Sequence, residues 1–549
     1  VLWALAVVRS RHDGLCSAVV TRAMQLLVRP RAADVRFTSA ELASLIWSLA
    51  KLDVADDGSI AELVGAVVTE LRRRIPSKEY GPKDASMCLW GLGRLGRAEE
   101  ASAIFVEFAD AGAELAATAF STALAFAQRD GRLVEELRIW RALGHRADHP
   151  ALAAAIAVSA ALSCHRRGGS DGASQALAAL SESAARGAML RPALWRFAQA
   201  TLGGGGVCQP EDRVGGDDPT HPEIPAPLPR REGMPLSQLY AKELEVLVGV
   251  QAHAAPASSA DVIAEIRKRA EQREAWLKLA GGEKTLALER LVEERRPRLI
   301  VEVGFYVGYS STVMARRLQD WGGRLISIEV DPVHVAIGQV SVLCAGLADV
   351  VDVWAGHSAD VLPRLLAEVG KRAVDMVFFD QKGTIYHEDL QTLERLDLLA
   401  DGCAVVADNV LKPGAPFFLW QLDQSPWWDL QIVSVREYES EAVEDWLSVA
   451  TFDRAAAVAA AGADGWPPPP PSAAPRDLEA VAFETDAIRW RAVSDQLTLA
   501  DWVRHANWLR AKLAELGIVP TAHADGGGAA AADGRGALHG LRPLRAAAA

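Results

Sequence analysis

The clearest pattern of hydrophobic and polar positions lies between residues 299 and 410, where apolar runs alternate with amphipathic stretches. The runs read RLIVEVG, RLISIEV, VVDVWAG, VDMVFFD and GCAVVADNV. Each is rich in Val, Ile and Leu without polar alternation, which is typical of parallel strands covered on both faces. The alternation predicts a doubly wound α/β domain, whose ligands should bind beyond the carboxyl ends of the strands.

The first 200 residues show helical spacing instead. Trp3, Trp47 and Trp90 lie 44 and then 43 residues apart, and Phe105 and Trp140 lie 35 apart. Such periods predict an α-helical, solenoid-like repeat region. The segment resembles octotricopeptide- and pentatricopeptide-type repeats, which in known families read RNA. Two interpretations stay open: a helical scaffold whose tryptophans pack in the core, and an RNA-binding surface.

Composition predicts the boundaries between these regions. Gly, Pro and charged residues fill 202–236, five consecutive prolines follow Trp466, and the end of the chain is rich in Ala and Gly. The predicted regions are a helical repeat region at 1–201, a flexible linker at 202–236, an α/β domain at 237–455, a linker at 456–475, a helical segment at 476–522 and a disordered tail at 523–549. His505 and the tryptophans of the helical segment are expected to serve packing.

Charge and cysteine content narrow the possible partners and compartments. The net charge of −13 argues against a protein that coats nucleic acid along its whole surface. The longest apolar run, residues 151–162, is too short to span a bilayer, so no membrane partner is expected. Six cysteines without a CxxC pair suit a reducing, intracellular compartment, cytoplasmic or organellar. The first residue is Val1 rather than Met, so we expect an N-terminal truncation, which leaves the compartment unknown.

A glycine loop after the first predicted strand suggests a nucleoside cofactor. Gly304 and Gly308 would let the backbone bend sharply and approach a ligand closely. Glu329 closes the next strand, 25 residues after Gly304, where an acid can bind both ribose hydroxyls. The glycine spacing is GxxxG, not GxGxxG, which disfavours an NAD-dependent dehydrogenase.

Oxygen ligands follow the fourth and fifth predicted strands. Asp380 ends the fourth strand, and Asp408 and Asn409 end the fifth. Two carboxylates and an amide oxygen suit a hard divalent cation such as Mg²⁺. The sequence therefore predicts a metal site at this edge of the sheet.

Residues 235–455 resemble the catechol O-methyltransferase family. The resemblance rests on the stretches EQREAWLKLAGGEK, VEVGFYVGYSS, LISIEVDP, AGHSADVLPRL, DMVFFD and, most specifically, VVADNVLKPGAPFFL. It implies a Rossmann-like enzyme that uses Mg²⁺ and S-adenosylmethionine to methylate a hydroxyl of a small-molecule vicinal diphenol.

The resemblance also implies a set of site residues. Those expected at the cofactor are Ala280, Glu302, Gly304, Tyr306, Gly308, Ser310, Glu329, Ser358 and Asp380. The implied metal ligands are Asp380, Asp408 and Asn409. The implied walls around the acceptor ring are Trp276, Lys278 and Pro413, and Glu437 or alternatively Glu439 would bind the second hydroxyl in a catalytic role.

The catalytic base departs from the family pattern Asp-His-x-Lys. The matching residues here are Asp380, Gln381, Lys382 and Gly383, so the lysine comes one residue early. The family has a glutamine after the serine that matches Ser358, and this chain has Ala359 at that position. Lys382 either serves as the base from this shifted position or is a solvated loop lysine. The leading hypothesis is a methyltransferase, and the alternative is an RNA-binding repeat protein with an impaired methyltransferase domain.

Overall fold

A computed structural model describes residues 2–7, 12–28, 37–52, 58–167, 234–271, 277–437, 440–462, 465–471, 474–493, 497–524 and 538–539, with a few residues between 172 and 180. Its N-terminal part is helical. The helices there are α1 (Leu2–Val7), α2 (Asp13–Val28), α3 (Ser39–Lys51), α4 (Ser59–Arg74), α5 (Pro82–Arg94), α6 (Ala98–Asp110), α7 (Ala117–Arg129), α8 (Leu133–Gly144) and α9 (Pro150–Arg167).

A region of alternating strands and helices follows. It starts with α10 (Leu236–Leu239), α11 (Ala241–His253), α12 (Ser259–Glu271) and α13 (Glu283–Arg295). The alternation then runs through β1 (Leu299–Val303), α14 (Tyr309–Leu318), β2 (Arg324–Glu329), α15 (Pro332–Cys344), β3 (Val351–Ala355), α16 (Ser358–Val369), β4 (Val374–Phe379), α17 (Tyr386–Arg395), β5 (Leu399–Ala407), α18 (Pro416–Gln424), β6 (Trp428–Glu437), β7 (Ser440–Phe452) and α19 (Arg454–Ala461). The last elements are α20 (Arg476–Val493), α21 (Leu499–Glu515), β8 (Ala522–Ala524) and β9 (Leu538–His539).

The strands of the described residues form one sheet in the order β3-β2-β1-β4-β5-β7-β6-β8-β9. Strands β1 to β5 are parallel, and β7 joins β5 in the antiparallel sense. The chain first adds β2 and β3 on one side of β1 and then crosses to β4 on the other side. Loops diverge between β1 and β4, and a ligand crevice is expected at such a switch point.

Local sequence explains where several of these helices begin. Asp331 caps α15 because its carboxylate accepts a hydrogen bond from the backbone N–H of Val333. Thr38 and Glu41 form a capping box at α3, and Thr498 and Asp501 form another at α21. These caps satisfy backbone donors that the first helical turn leaves without partners.

Two apolar cores cover the two faces of the sheet. The larger core is continuous from the N-terminal helices to the sheet, since it contains Leu162 of α9 together with Ile337 and Val340 of α15. The second core includes Leu509 and Leu513 of α21 on the opposite face. The C-terminal helices are therefore part of the α/β body.

The predicted fold class is confirmed: a helical N-terminal region precedes a doubly wound α/β domain. The repeat character of the helical region stays a prediction. Its tryptophans differ in environment, because Trp140 is 1% exposed whereas Trp3 is 54% exposed and lies outside the core. Strands β8 and β9 pair within the part of the chain for which composition predicts a disordered tail. No helix among the described residues is long and apolar enough to cross a bilayer.

Candidate active site

The glycine loop after β1 lies directly against the end of β4. Gly304 has a φ of 112°, and a Cβ at this position would lie 2.1 Å from the carbonyl oxygen of Asp380. Gly308 has a φ of 78° and precedes α14. Only glycine fits such a close backbone approach at positive φ without strain. The predicted cofactor loop and the first predicted metal ligand therefore share one edge of the sheet.

Glu302 on β1 links the helix that follows the glycine loop to the neighbouring strand. Its fully buried carboxylate accepts hydrogen bonds from the hydroxyls of Ser310 (2.6 Å), Ser327 (2.5 Å) and Ser311. Burial raises the pKa of Glu302 to about 7, while the three serine hydrogen bonds oppose that rise. Glu302 and Ser310, both predicted at the cofactor, are thus brought together, and their contacts tie α14 to β1 and β2.

Glu329 lies beside the same loop, as the sequence predicts. Its Oε2 accepts hydrogen bonds from the backbone N–H of Phe305 (3.2 Å) and Tyr306 (2.9 Å), and its Oε1 accepts one from Asp331 N–H (2.8 Å). The Tyr306 hydroxyl donates to Glu243 on α11 over 2.8 Å. These N–H groups fix the orientation of the Glu329 carboxylate. A carboxylate held in this way is preorganised to bind a ribose.

Residues of the N-terminal helices contact the segment around Ser358, which the sequence predicts at the cofactor. Ser358 is buried and begins α16, just beyond the end of β3. The backbone N–H of Ala355 donates to Gln128 of α7 over 3.1 Å, and the indole N–H of Trp90 donates to Asp360 over 3.1 Å. No pattern in the sequence predicts these contacts. Ala280, the remaining cofactor candidate, is buried, and its carbonyl accepts from the Thr285 hydroxyl.

The register of β4 and β5 brings the predicted metal ligands side by side. Phe379 pairs with Ala407, so Asp380 and Asp408 are the next residues on adjacent parallel strands. The backbone N–H of Asp408 donates to the Phe379 carbonyl over 2.9 Å. Asn409 follows with a left-handed φ of 57°, which asparagine tolerates better than most residues.

A buried lysine and a further aspartate complete this cluster, and sequence reasoning missed both. Lys284 Nζ lies 2.8 Å from Asp408 Oδ1 and 2.8 Å from Asp445 Oδ2. Asn409 Nδ2 donates to the same Asp445 oxygen over 2.9 Å. The other Asp445 oxygen accepts from the backbone N–H of Lys412 over 2.8 Å. Lys284 lies in the quoted stretch EQREAWLKLAGGEK, but nothing in its spacing indicates a partner on β7.

The donor set fits a divalent cation. Among the described residues, no group of three His, Cys, Asp or Glu side chains is arranged as a metal site, but the predicted set contains two carboxylates and one amide. Asp380, Asp408 and Asp445 bring three negative charges, and Lys284 brings one positive charge. Because Asn409 donates through Nδ2, its Oδ1 is available as a ligand. A hard cation would balance this negative charge.

Lys382 is paired with the C-terminal helix α20. Its Nζ donates to Asp486 Oδ2 over 2.6 Å, and the Thr384 hydroxyl donates to Asp486 Oδ1 over 2.8 Å. The lysine side chain is 33% exposed, so it differs from a solvated loop lysine. At the family's base position, a Cβ on Gly383 would lie 2.5 Å from the Gly414 carbonyl oxygen. The close approach of these two loops leaves no room for a lysine at 383.

The segment predicted as the acceptor wall rests on α21. His505 Nε2 lies 2.6 Å from the Pro413 carbonyl oxygen, and burial lowers the pKa of His505. Lys412 Nζ lies 5.3 Å from the centre of the Trp502 ring. His505 and Trp502, which the sequence predicts to serve packing, therefore lie next to the candidate site.

The structure describes only part of the other predicted acceptor residues. Lys278 is exposed. Trp276 and Glu439 lie outside the described residues. Glu437 ends β6, and its side chain is not among those described.

Comparisons with known proteins found a family model, curated relatives and solved structures that are similar to this chain. A family model described as O-methyltransferase matches residues 253–418. Catechol O-methyltransferase from Bos taurus is 38% identical over 179 residues, which are 33% of this chain and 65% of that protein. The Sus scrofa enzyme is 42% identical over 139 residues, 25% of this chain and 74% of that protein. Among solved structures, an O-methyltransferase from Bacillus cereus is 20% identical and covers 36% of this chain and 90% of its own, with a TM-score of 0.31.

The chain spans 65% and 66% of the length of the bovine and murine relatives. It covers 74% of the porcine relative at 42% identity. The segment 253–418, which the family model matches, contains the glycine loop and the strand ends described above. The chain therefore belongs to the catechol O-methyltransferase family.

Proposed function

We propose that this protein transfers a methyl group from S-adenosylmethionine to one hydroxyl of a catechol-like vicinal diphenol, with Mg²⁺ as its metal cofactor. The observation that carries the proposal is the contact between the Gly304 loop and the end of β4 at Asp380. This contact puts the candidate cofactor loop next to the acids that would hold the metal and the acceptor. Methyl transfer needs this proximity, because positioning supplies much of the rate enhancement.

The cofactor would bind along the carboxyl ends of β1, β2 and β3. The proposed contacts are Ala280, Glu302, Gly304, Tyr306, Gly308, Ser310, Glu329, Ser358 and Asp380. Glu329, already oriented by Phe305 and Tyr306 N–H groups, would accept hydrogen bonds from the ribose. A sulfonium carries the methyl group that is transferred. The negative charge of Asp380 and Asp408 would favour that cation near the strand ends.

Asp380, Asp408 and Asn409 would hold the metal. When bound, Mg²⁺ lowers the pKa of a coordinated hydroxyl and fixes a chelating acceptor. Lys284 would orient Asp408, which it contacts, and Asp445 would orient Asn409 through their hydrogen bond. Pro413, supported by His505, would border the acceptor ring.

Lys382 is the candidate base, with Glu437 or Glu439 as the candidate partner of the second hydroxyl. The Lys382 ammonium donates to Asp486, so to act as the base the lysine must leave this partner and lose one proton before it accepts the proton of the acceptor hydroxyl. A positioned base contributes about 10²- to 10⁴-fold to rate.

The test uses the full chain with S-adenosylmethionine and catechol, with and without Mg²⁺. We expect metal-dependent methyl transfer, and we expect Lys382→Ala to reduce kcat at least about 100-fold. Lys371→Ala, which removes a 63% exposed lysine, is the matched control and should leave kcat unchanged. Equal activity of Lys382→Ala and Lys371→Ala would assign activation of the hydroxyl to the metal alone. Cofactor binding without any methyl transfer would overturn the catechol assignment.

The alternative, an RNA-binding repeat protein with an impaired methyltransferase domain, rests on the spacing of aromatic residues in the sequence alone. Family membership removes the dehydrogenase alternative, whose cofactor loop would differ. The proposed regional boundaries remain those predicted from composition.

A further inference from the structure

A polar cavity of about 570 Å³ lies between the N-terminal helices and the outer edge of the sheet. Residues from α7, α9, α16 and the end of the sheet near β3 form its walls. Arg324 at the start of β2 and Val351 at the start of β3 also line it, so it lies at the opposite end of these strands from the candidate active site. Volumes of this size hold small ligands in other proteins.

Among the described residues that line this cavity, arginines outnumber carboxylates, while Asp130 and Glu136, which pair with two of the arginines, bring the number of carboxylates to five. Five arginines line it: Arg129, Arg166, Arg167, Arg324 and Arg364. The carboxylates in the same walls are Asp349, Asp352 and Glu368, and His165 is the remaining titratable group. Arginine is the residue best suited to bind planar oxyanions, because its guanidinium donates two parallel hydrogen bonds.

Four of the arginines already have acidic partners. Arg166 lies 3.0 Å from Asp352. Arg324 contacts Asp352 at 3.3 Å and Glu368 at 3.0 Å. Arg129 pairs with Asp130 at 2.7 Å, and Arg167 pairs with the buried Glu136 at 2.8 Å. These contacts fix the four guanidinium groups in the walls.

Arg364 is different. Its guanidinium carbon lies 3.9 Å from the centre of the buried Trp354 ring. Within the described part of the chain, no carboxylate lies within ion-pair distance of it. Burial and, to a lesser extent, the nearby positive charge of Arg167 lower the pKa of Arg364 to about 10. A guanidinium stacked on an indole keeps its hydrogen-bonding edge for a ligand.

We propose that this cavity binds a small phosphorylated molecule, of the size of a nucleoside diphosphate, whose phosphate group bonds to Arg364 and Arg167. The ligand would supply the acceptor that Arg364 lacks among the described residues. Phosphate offers three oxygens for such charge-assisted hydrogen bonds. The site is separate from methyl transfer, so the proposed reaction can fail without affecting this inference.

The test is direct binding to the full chain by calorimetry at low salt, with ADP and pyrophosphate as probes. We expect saturable binding, about ten-fold or more weaker in Arg364→Gln, because one charge-assisted contact is lost. Arg290→Gln, which removes a 40% exposed arginine paired with Glu294 on α13, should bind as the unaltered protein does. Pyrophosphate binding equal to that of ADP would identify phosphate alone as the recognised group, and stronger ADP binding would add the nucleoside.

A second variant distinguishes a loss of binding from a loss of folding. Arg364→Lys keeps the charge but not the planar fork, so we expect intermediate affinity with an unchanged thermal midpoint. Absence of saturable binding of either probe would overturn the proposal, as would equal weakening by Arg290→Gln. A single-stranded RNA that binds in an Arg364-dependent manner while ADP does not would also overturn it, in favour of a polynucleotide.

Discussion

At the scale of single residues, the candidate site depends on ion pairs between distant parts of the chain. Lys284 and Asp445 are 161 residues apart in sequence, and Lys382 and Asp486 are 104 apart. Lys284 is 1% exposed, and the carboxylates of Asp408 and Asp445 stabilise its buried charge.

Removing that lysine should therefore be costly. In Lys284→Met the buried Asp408 and Asp445 lose a counter-charge, and we expect unfolding free energy to fall by about 3–5 kcal/mol. Urea denaturation of the full chain measures this change. Arg290→Met on the same helix removes an exposed ion pair and should change stability by less than about 1 kcal/mol. Equal losses in the two variants would show that Lys284 does not balance buried charge.

Glu302 should make stability depend on pH. Burial raises its pKa from 4.5 to about 7. Between pH 4.5 and about 7, the folded protein therefore keeps a proton on Glu302 that the unfolded chain releases. The resulting stabilisation is fully present below about pH 4.5 and is lost as pH rises through 7.

The corresponding variant is Glu302→Gln, which cannot titrate. Between pH 5 and 7 we expect its unfolding free energy to fall less than that of the unaltered protein, by up to about 3 kcal/mol. Urea denaturation across this range gives the difference. Asp389, whose pKa burial also raises to about 7, remains in both proteins and cancels in the comparison. Parallel pH profiles for the two proteins would contradict the assignment.

The sequence could predict only part of this site. Asp380 lies beside Asp408 because the carboxyl ends of consecutive parallel strands meet at one edge, which the alternation of elements already implies. The partners Lys284, Asp445 and Asp486 could not be predicted. Their contacts depend on how helices and strands pack in three dimensions, and no local spacing encodes that packing.

At the scale of elements, the C-terminal pair α20 and α21 supports both loops of the proposed acceptor side. Asp486 on α20 holds Lys382 and Thr384, and His505 on α21 contacts the Pro413 carbonyl. Amphipathic spacing predicts helices in this segment, but it does not show which surface they cover. These helices therefore belong to the candidate site as well as to the core.

Leu509 tests this support. It is fully buried, and a Cβ on Gly414 would lie 2.3 Å from its Cδ2. We expect Leu509→Ala to reduce unfolding free energy by about 2–5 kcal/mol through the cavity it leaves. Leu499→Ala on the same helix removes a 53% exposed side chain and should change stability by less than about 0.5 kcal/mol. Urea denaturation compares them, and equal effects would mean that α21 is not anchored at Leu509.

At the scale of the whole molecule, the apolar core does not stop at the predicted boundary between regions. Leu162 on α9 shares a core with Ile337 and Val340 on α15. Gln128 and Trp90 reach from the N-terminal helices to Ala355 and Asp360. The helical region thus contributes to the shape of the segment that carries Ser358, and experiments on function need the full chain.

Side chains of the helical region cover the free edge of β3, the outer strand of the sheet. Among the described strands only β2 pairs with it, and side chains of the helical region bond its other side: Arg166 donates to the Val351 carbonyl, and Gln128 accepts from Ala355 N–H. An uncovered strand of this kind recruits strands of other molecules. Proteolytic cleavage between the two regions, followed by their separation, would free this edge, so the cleaved α/β fragment should self-associate and aggregate instead of surviving as an independent enzyme.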